Sequence, residues 1–273
     1  MPSQRNKLKV NENGSKNTRM NIDNSAKELD YRCDEIMFIA RWTMGAQTME
    51  NLAKQLGRPI RVLDIGCGQM NTVRLFYRSF VIKKSDVIES YTGIDIDDIM
   101  VAQCEKDFKS TYETCNAHFL IQDLTVNPHI DVPDNYYDLI ICTEFLEHIN
   151  PQLSQPIIEE ALRVLNPDGI ALFSTPNSNG SNKKLPKDHF YEYSYEELIE
   201  KFEKAGWTVE NTVGMSINIS RLPKDYVESL ESVFSRFNAG FGRNSNFMRV
   251  AIAPLIEPKY CKNVLYICKK SDS

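Results

Sequence analysis

Three residues on one short stretch carry the most reactive chemistry in this sequence. Glu144, Glu147 and His148 stand in Cys142-Thr-Glu-Phe-Leu-Glu-His-Ile149 at i, i+3 and i+4. On a helical turn that spacing puts all three on one face. Two carboxylates and an imidazole together can hold a divalent cation or move a proton near neutral pH. The same residues can also do no more than shape a cleft or cap a helix. A second group lies upstream. Arg61-Val-Leu-Asp-Ile-Gly-Cys-Gly-Gln69 runs an apolar stretch into a glycine turn. Tyr91-Thr-Gly-Ile-Asp-Ile-Asp97 ends another apolar stretch in acids. Gly66 and Gly68 would let backbone approach a ligand closely, and Asp95 would accept from ribose hydroxyls. Asp64, two residues before Gly66, is placed to receive a cationic amino group. This pairing calls for a nucleoside cofactor. A dinucleotide-binding turn would want a third glycine where Asn71 stands. Its absence points away from a pyrophosphate and from a nicotinamide dehydrogenase.

The elements that must position these residues can be read from pattern. Strand-like runs fall at Ile60–Ile65, Ser90–Asp95, Ala117–Gln122, Tyr137–Thr143 and Gly169–Ser174. Helical pieces fall between them, including Pro156–Leu165. Such alternation implies a parallel sheet with helices on both faces. Pro133-Asp-Asn-Tyr136 and Asn166-Pro-Asp-Gly169 read as turns before the fourth and fifth strands. A helical pattern from Ala26 to Leu56 precedes the first strand, closed by Gly57-Arg-Pro59. Tyr195–Ala205 reads as a helix with Ser194 as its N-cap and Gly206 after it. Trp207–Val213 and Asn263–Lys269 read as late strands. Between them lies an insert, 215–260, with a predicted helix at Tyr226–Phe237. The insert carries Phe234, Phe237, Phe241, Phe247, Arg221, Arg236, Arg243 and Arg249. Aromatics and arginines of that kind can stack on a planar substrate and hold a phosphate or carboxylate. A helix that only packs on the domain or makes a dimer contact would carry the same residues.

Composition sets the frame. The chain has 273 residues, 42% hydrophobic and 25% charged, with a formal net charge of -5. That suits one globular α/β domain, and its overall charge does not draw nucleic acid. We read residues 1–25 as a disordered basic tail and 26–273 as one domain, with a helical cap at 26–57. The seven cysteines include no C-x-x-C pair, so free thiols in a reducing, cytoplasmic compartment are expected. No apolar run reaches the length of a membrane helix, and the N-terminus does not read as a secretory signal. His118 and His129 have no partner pattern, and Cys67 is assigned no chemistry.

Taken together, these motifs resemble those of the class I S-adenosylmethionine-dependent methyltransferases, from about Ile60 to Trp207 and again in the final strand. The resemblance implies a Rossmann-like α/β sheet, parallel except for an antiparallel last strand. It implies that Asp64, Gly66 and Gly68 wrap the methionine half of S-adenosylmethionine and that Asp95 takes the ribose. Ile96 would lie against adenine and Asp123 would accept from its amino group, with Leu124 and Thr143 also on the cofactor. Two subfamilies are similar around the acidic stretch. Ubiquinone-type O-methyltransferases carry an E-x-x-E-H stretch that binds magnesium. Small-RNA terminal 2′-O-methyltransferases carry E-x-x-E-H, then S-T-P-N, matched here by Ser174–Asn177. They then carry a D-H…E-aromatic segment, matched by Asp188–Ser194, whose His is a fourth ligand. The resemblance thus implies catalytic roles for Glu147, His148 and His189. It also implies a site for Mg2+ or another divalent cation on Glu144, Glu147, His148 and His189. The expected activity is methyl transfer to a hydroxyl or amine of a small molecule. The alternatives are metal-dependent RNA 2′-O-methylation and a non-catalytic cofactor-binding adaptor.

Overall fold

The computed structural model describes residues 33–69, 86–111, 116–178, 185–217, 219–230, 235 and 249–271. Helix α1 (Cys33–Leu56) leads into strand β1 (Ile60–Ile65). There follow β2 (Ile88–Asp95), α2 (Asp98–Thr111), β3 (Asn116–Ile121), β4 (Tyr137–Thr143) and α3 (Pro151–Val164). The chain closes with β5 (Leu165–Pro176), α4 (Tyr195–Lys204), β6 (Trp207–Ile217) and β7 (Cys261–Lys270).

These seven strands form one sheet in the order β3-β2-β1-β4-β5-β7-β6. Strands β1 to β5 run parallel, and β7 lies antiparallel between β5 and β6. The order reverses between β1 and β4, and an open α/β sheet binds its ligands beyond the carboxyl ends of the strands at such a reversal. Glu144 follows β4 directly, and Gly66 follows β1. Both motifs therefore meet at this point.

Burial explains why the central strands read as unbroken apolar runs. On β4, Leu139 and Ile141 pack with Val62, Leu172 and the α1 residues Met49 and Leu52. The alternate residues Ile140 and Cys142 pack with Phe173, with Ile157, Ile158 and Ala161 of α3, and with Leu198 and Phe202 of α4. Both faces are covered, so the two-residue alternation of a half-buried strand disappears. At the opposite end of β4, buried Asp138 takes both Arg58 terminal nitrogens at 2.8 and 2.7 Å and the Arg61 amide at 2.9 Å.

Several boundaries differ from the sequence reading. Helix α3 starts at Pro151, capped by Asn150, whose side chain accepts from the Gln152 amide; Pro156 lies inside the helix. Proline at the first helical position lacks only a donor that would be orphaned anyway. The turn at 166–169 is an irregularity within β5, where the pairing jumps from Tyr137–Leu165 to Leu139–Ile170. Asn166 there accepts from the Asp168 amide. Strand β6 runs on to Ile217, into the start of the expected insert. Helix α4 has the expected Ser194 cap, closed into a reciprocal box by Glu197. The tail at 1–25, and with it the start of the helical cap, lies outside the described residues. So do Phe234, Phe237, Phe241, Phe247, Arg236 and Arg243, and half of the predicted helix at Tyr226–Phe237; its residues 226–230 are helical, in a stretch that begins at 224.

Candidate active site

The cofactor half is built on backbone. Gly66 and Gly68 both adopt positive φ, +66° and +48°. A Cβ on Gly66 would sit 2.6 Å from the Phe145 ring, so both its conformation and its space demand glycine. The turn is pinned to the end of β2, where the Gly66 and Cys67 amides donate to the Ile94 carbonyl at 2.9 and 3.0 Å. Asp95 accepts from the Gly68 amide at 2.8 Å and the Asp97 amide at 3.0 Å. A carboxylate has about four acceptor positions, so two ribose hydroxyls can still be met. Ile96 is 64% exposed, an apolar side chain held in the open beside that acid. Asp123 folds its own turn, accepting from the Thr125 amide at 2.9 Å and hydroxyl at 2.6 Å. The Thr125 hydroxyl bond, with the amide bond behind it, holds its pKa below the usual value. Leu124 is buried beside it, and Thr143 is half-buried at the end of β4.

Asp64 is the electrostatic centre of this half. It is buried and accepts from the Tyr91 hydroxyl at 2.7 Å. Burial pushes its pKa up to about 7, Tyr91 works against that shift, and the Asp95 charge adds to it. Among the described residues no cation meets this carboxyl, and a buried carboxyl is stabilised by one.

The acceptor half is built from side chains of many elements. Glu144 has φ +52° and is followed by a short 3-10 turn, Leu146–His148. The i, i+3, i+4 reading on a helix face therefore does not hold here. Glu144 turns instead towards α1, with an oxygen 2.7 Å from Nη1 of Arg41, which is 5% exposed. Ser174 of β5 and Asn263 of β7 donate to it, each at 3.1 Å. The Arg41 contact is an ion pair without hydrogen-bond alignment, since its Nε and Nη1 have no hydrogen-bond partner. Its guanidinium also lies 4.9 Å over the Phe38 ring.

Three of the four expected ligands do converge. Ligand atoms of Glu147, His148 and His189 lie within 4.8 Å of one another; Glu144 is outside the group. The segment after 185 is brought in by the Phe190 amide, which donates to the Glu147 carbonyl at 2.8 Å. The two imidazoles meet edge to face, with centroids 4.9 Å apart. Nδ1 of His148 lies 2.9 Å from the Asp188 carbonyl, and Nδ1 of His189 lies 2.9 Å from a Glu192 oxygen. A carbonyl and a carboxylate only accept, so both Nδ1 atoms carry a proton, and in the neutral tautomer that this selects the lone pair is on Nε2. Glu147 is 1% exposed and accepts from the Thr175 hydroxyl at 3.2 Å. Burial first, and the Glu144 charge second, raise its pKa far above the carboxylate range.

Sequence reasoning missed Arg41, Tyr91 and Asn263 as members of the site, and gave Ser174 and Thr175 of the S-T-P-N stretch no role in it. Of the three that were missed, Arg41 left a signal, a charge inside the apolar stripe of Phe38, Ile39 and Trp42. A cavity of about 610 Å³ between α2, β3 and residues 127–132 is lined by none of these side chains. Among the described residues no helix is long and apolar enough to cross a membrane.

Comparison with known proteins agrees with this geometry. A methyltransferase-domain family matches residues 39–212. A probable S-adenosylmethionine-dependent methyltransferase of Mycolicibacterium smegmatis is 30% identical over 159 residues, 56% of this chain and 54% of that protein. A ubiquinone biosynthesis O-methyltransferase of Yersinia enterocolitica is 31% identical over 121 residues, 44% of this chain and 43% of that one. The chain thus spans about half the length of the curated relatives it matches. In fold it is similar to the 1,6-didemethyltoxoflavin-N1-methyltransferase of Burkholderia thailandensis, solved with S-adenosylhomocysteine. The TM-score there is 0.51 at 16% identity, covering 86% of each chain. The family match covers more than half of the sequence, and with the strand order and the glycine turn it places this chain in the methyltransferase-domain family, of the class I S-adenosylmethionine-dependent type.

Proposed function

We propose that this protein transfers a methyl group from S-adenosylmethionine to a hydroxyl of a small molecule. The observation that carries the reading is the pairing of Asp64 and the two positive-φ glycines with the His148–His189 pair across the β1/β4 reversal. The cofactor fits the residues present. The buried carboxyl of Asp64 suits the methionine ammonium, Asp95 the ribose, and exposed Ile96 with Leu124, Asp123 and Thr143 the adenine side. When bound, S-adenosylmethionine supplies an activated methyl on a sulfonium. The chain has to align the acceptor and take its proton. His148 Nε2, with its lone pair and partial exposure, is the leading base, and His189 stands beside it. Glu147, held as a neutral acid by burial, can donate to the acceptor oxygen.

A divalent cation on Glu147, His148 and His189 is a second reading, favoured by their convergence. Each histidine presents Nε2 while its Nδ1–H is anchored, the usual outer support of a metal-bound imidazole. Two imidazoles and one carboxylate suit manganese, iron or zinc better than magnesium, which prefers oxygen donors. Glu147 would have to lose its proton to bind. A cation there would hold the acceptor oxygen and lower its pKa.

Incubation with methyl-labelled S-adenosylmethionine and fractionated cell extract, with and without a chelator, tests both readings. Label in the small-molecule fraction is the expected result. Label in RNA alone, lost on chelation, would replace it with the nucleic-acid alternative. Cofactor binding with no label in any fraction would favour an adaptor. The segment at 215–260 we propose as the cover of the acceptor site, so shortening it should raise the acceptor KM and leave cofactor affinity alone.

A further inference from the structure

A second cavity, of about 540 Å³, has a lining that includes Asn177, Ser178, Ser194, Arg221 and Lys259. We infer that it binds an oxyanion, a carboxylate or phosphate carried by the methyl acceptor, with Arg221 as the recognising residue. This rests on the small-molecule reading above.

The volume lies within the range of sites for small ligands. Arg221 is fixed rather than free. Its Nη1 donates to the carbonyls of Asn177 at 2.7 Å and Cys261 at 3.0 Å. Those bonds are to neutral carbonyls, and no carboxylate pairs with it among the described residues. Its Nε is buried and has no hydrogen-bond partner. Burial lowers its pKa, while the Glu192 charge partly restores it. A guanidinium so placed retains directed donors that match an oxyanion. Lys259 brings a second cation, although Glu257 already holds it at 2.6 Å. The N-terminus of α4 opens onto the same space through Ser194, and its dipole favours negative charge. Glu196 also lines the cavity but is exposed to solvent.

Asn177 refines the ligand. It is 2% exposed, its Nδ2 donates to the Lys259 and Cys261 carbonyls, and its Oδ1 has no hydrogen-bond partner among the described residues. That oxygen calls for a donor, so the oxyanion is accompanied by a hydroxyl or N–H. Glu192 links the cavity to the chemistry, since it anchors His189 and its charge acts on Arg221. His189 and Ser194 are five residues apart, about 17 Å at most. On this proposal one acceptor places a hydroxyl at the histidines and its oxyanion at Arg221, on either side of Glu192.

Two measurements test this. The methyl-labelled product from the small-molecule fraction is run on an anion exchanger at pH 8. Retention is expected, and an unretained product overturns the proposal. Separately, the full chain with S-adenosylhomocysteine is titrated calorimetrically with inorganic phosphate and with acetate. One saturable site is expected for at least one of them, and which one binds tells phosphate from carboxylate. Arg221→Gln should weaken it at least about ten-fold, with S-adenosylhomocysteine affinity in the same sample reporting intact folding. If that variant does not fold, Lys259→Gln should weaken the site about three-fold. No anion binding, or binding that neither substitution weakens, overturns the proposal. The titration needs no methyl acceptor, so failure of the small-molecule reading leaves it decisive.

Discussion

The two halves of the cleft are made differently. The cofactor half is a local object, formed by backbone turns after β1 and β2 with amides satisfying Asp95. The acceptor half draws one to three side chains each from α1, β5, β7, the turn after β4 and the segment before α4. Backbone conformation sets the first, and long-range packing sets the second. Substitutions should separate them accordingly.

The largest effect is expected at the histidine pair. Replacing His148 by alanine should lower kcat by about 10²–10⁴, the usual contribution of a positioned acid or base. Affinity for S-adenosylhomocysteine should stay within about two-fold. Single-turnover transfer and calorimetry on the same preparation decide it, and equal loss of both would merge the two halves.

Next comes the buried Arg41–Glu144 pair. Glu144→Ala leaves a guanidinium buried and unpaired, which costs about 3 kcal/mol or more. Arg41→Met should cost less, because Glu144 is partly exposed and keeps Ser174 and Asn263 as donors. Urea unfolding of both variants gives the order, and the reverse order would show that Glu144, not Arg41, is the group that cannot be left unpaired.

A smaller effect is expected at Gly66. Alanine there combines an unfavourable positive φ with a clash against Phe145. Affinity for S-adenosylhomocysteine should fall about ten- to a hundred-fold, by a few kcal/mol of strain passed to the turn. Transfer at saturating cofactor should change little. A loss confined to kcat would contradict a purely cofactor-side role.

The same contrast explains what was legible in the sequence. Asp64, Gly66, Gly68 and Asp95 lie where the motif puts them, because a strand end followed by a tight glycine turn is dictated by neighbours along the chain. The order of apolar runs likewise indicated a parallel sheet. Glu144 was misplaced because its i, i+3, i+4 spacing has meaning only on a helix, and a positive φ removes the helix. Arg41 is more than a hundred residues from Glu144, and no local pattern encodes that pairing. Tyr91 stood in the sequence only as the start of the apolar stretch that ends in Asp95 and Asp97. Its hydroxyl matters only because β2 pairs with β1 in a register that sets Tyr91 against Val62, near Asp64.

That Tyr91–Asp64 bond supplies the subtlest test. The Asp64 pKa is raised to about 7, from a value near 4 when unfolded. The folded chain thus holds a proton that the unfolded chain has lost. The stability this confers on the cofactor-free protein is complete below about pH 4 and is lost as pH rises through 7. Cofactor binding runs the opposite way, because the methionine ammonium needs the carboxylate ionised. Affinity for S-adenosylhomocysteine should therefore rise up to about ten-fold per unit as pH approaches 7, then level off. Asp64→Asn should bind weakly with a nearly flat profile. Tyr91→Phe removes the donor that stabilises the anion, so its midpoint should move to higher pH while the plateau is retained. Calorimetric titrations from pH 5.5 to 8.5 separate these profiles. A flat profile in the unmodified protein would mean that Asp64 is already ionised in the free protein, and that a cation or water other than the cofactor compensates its burial.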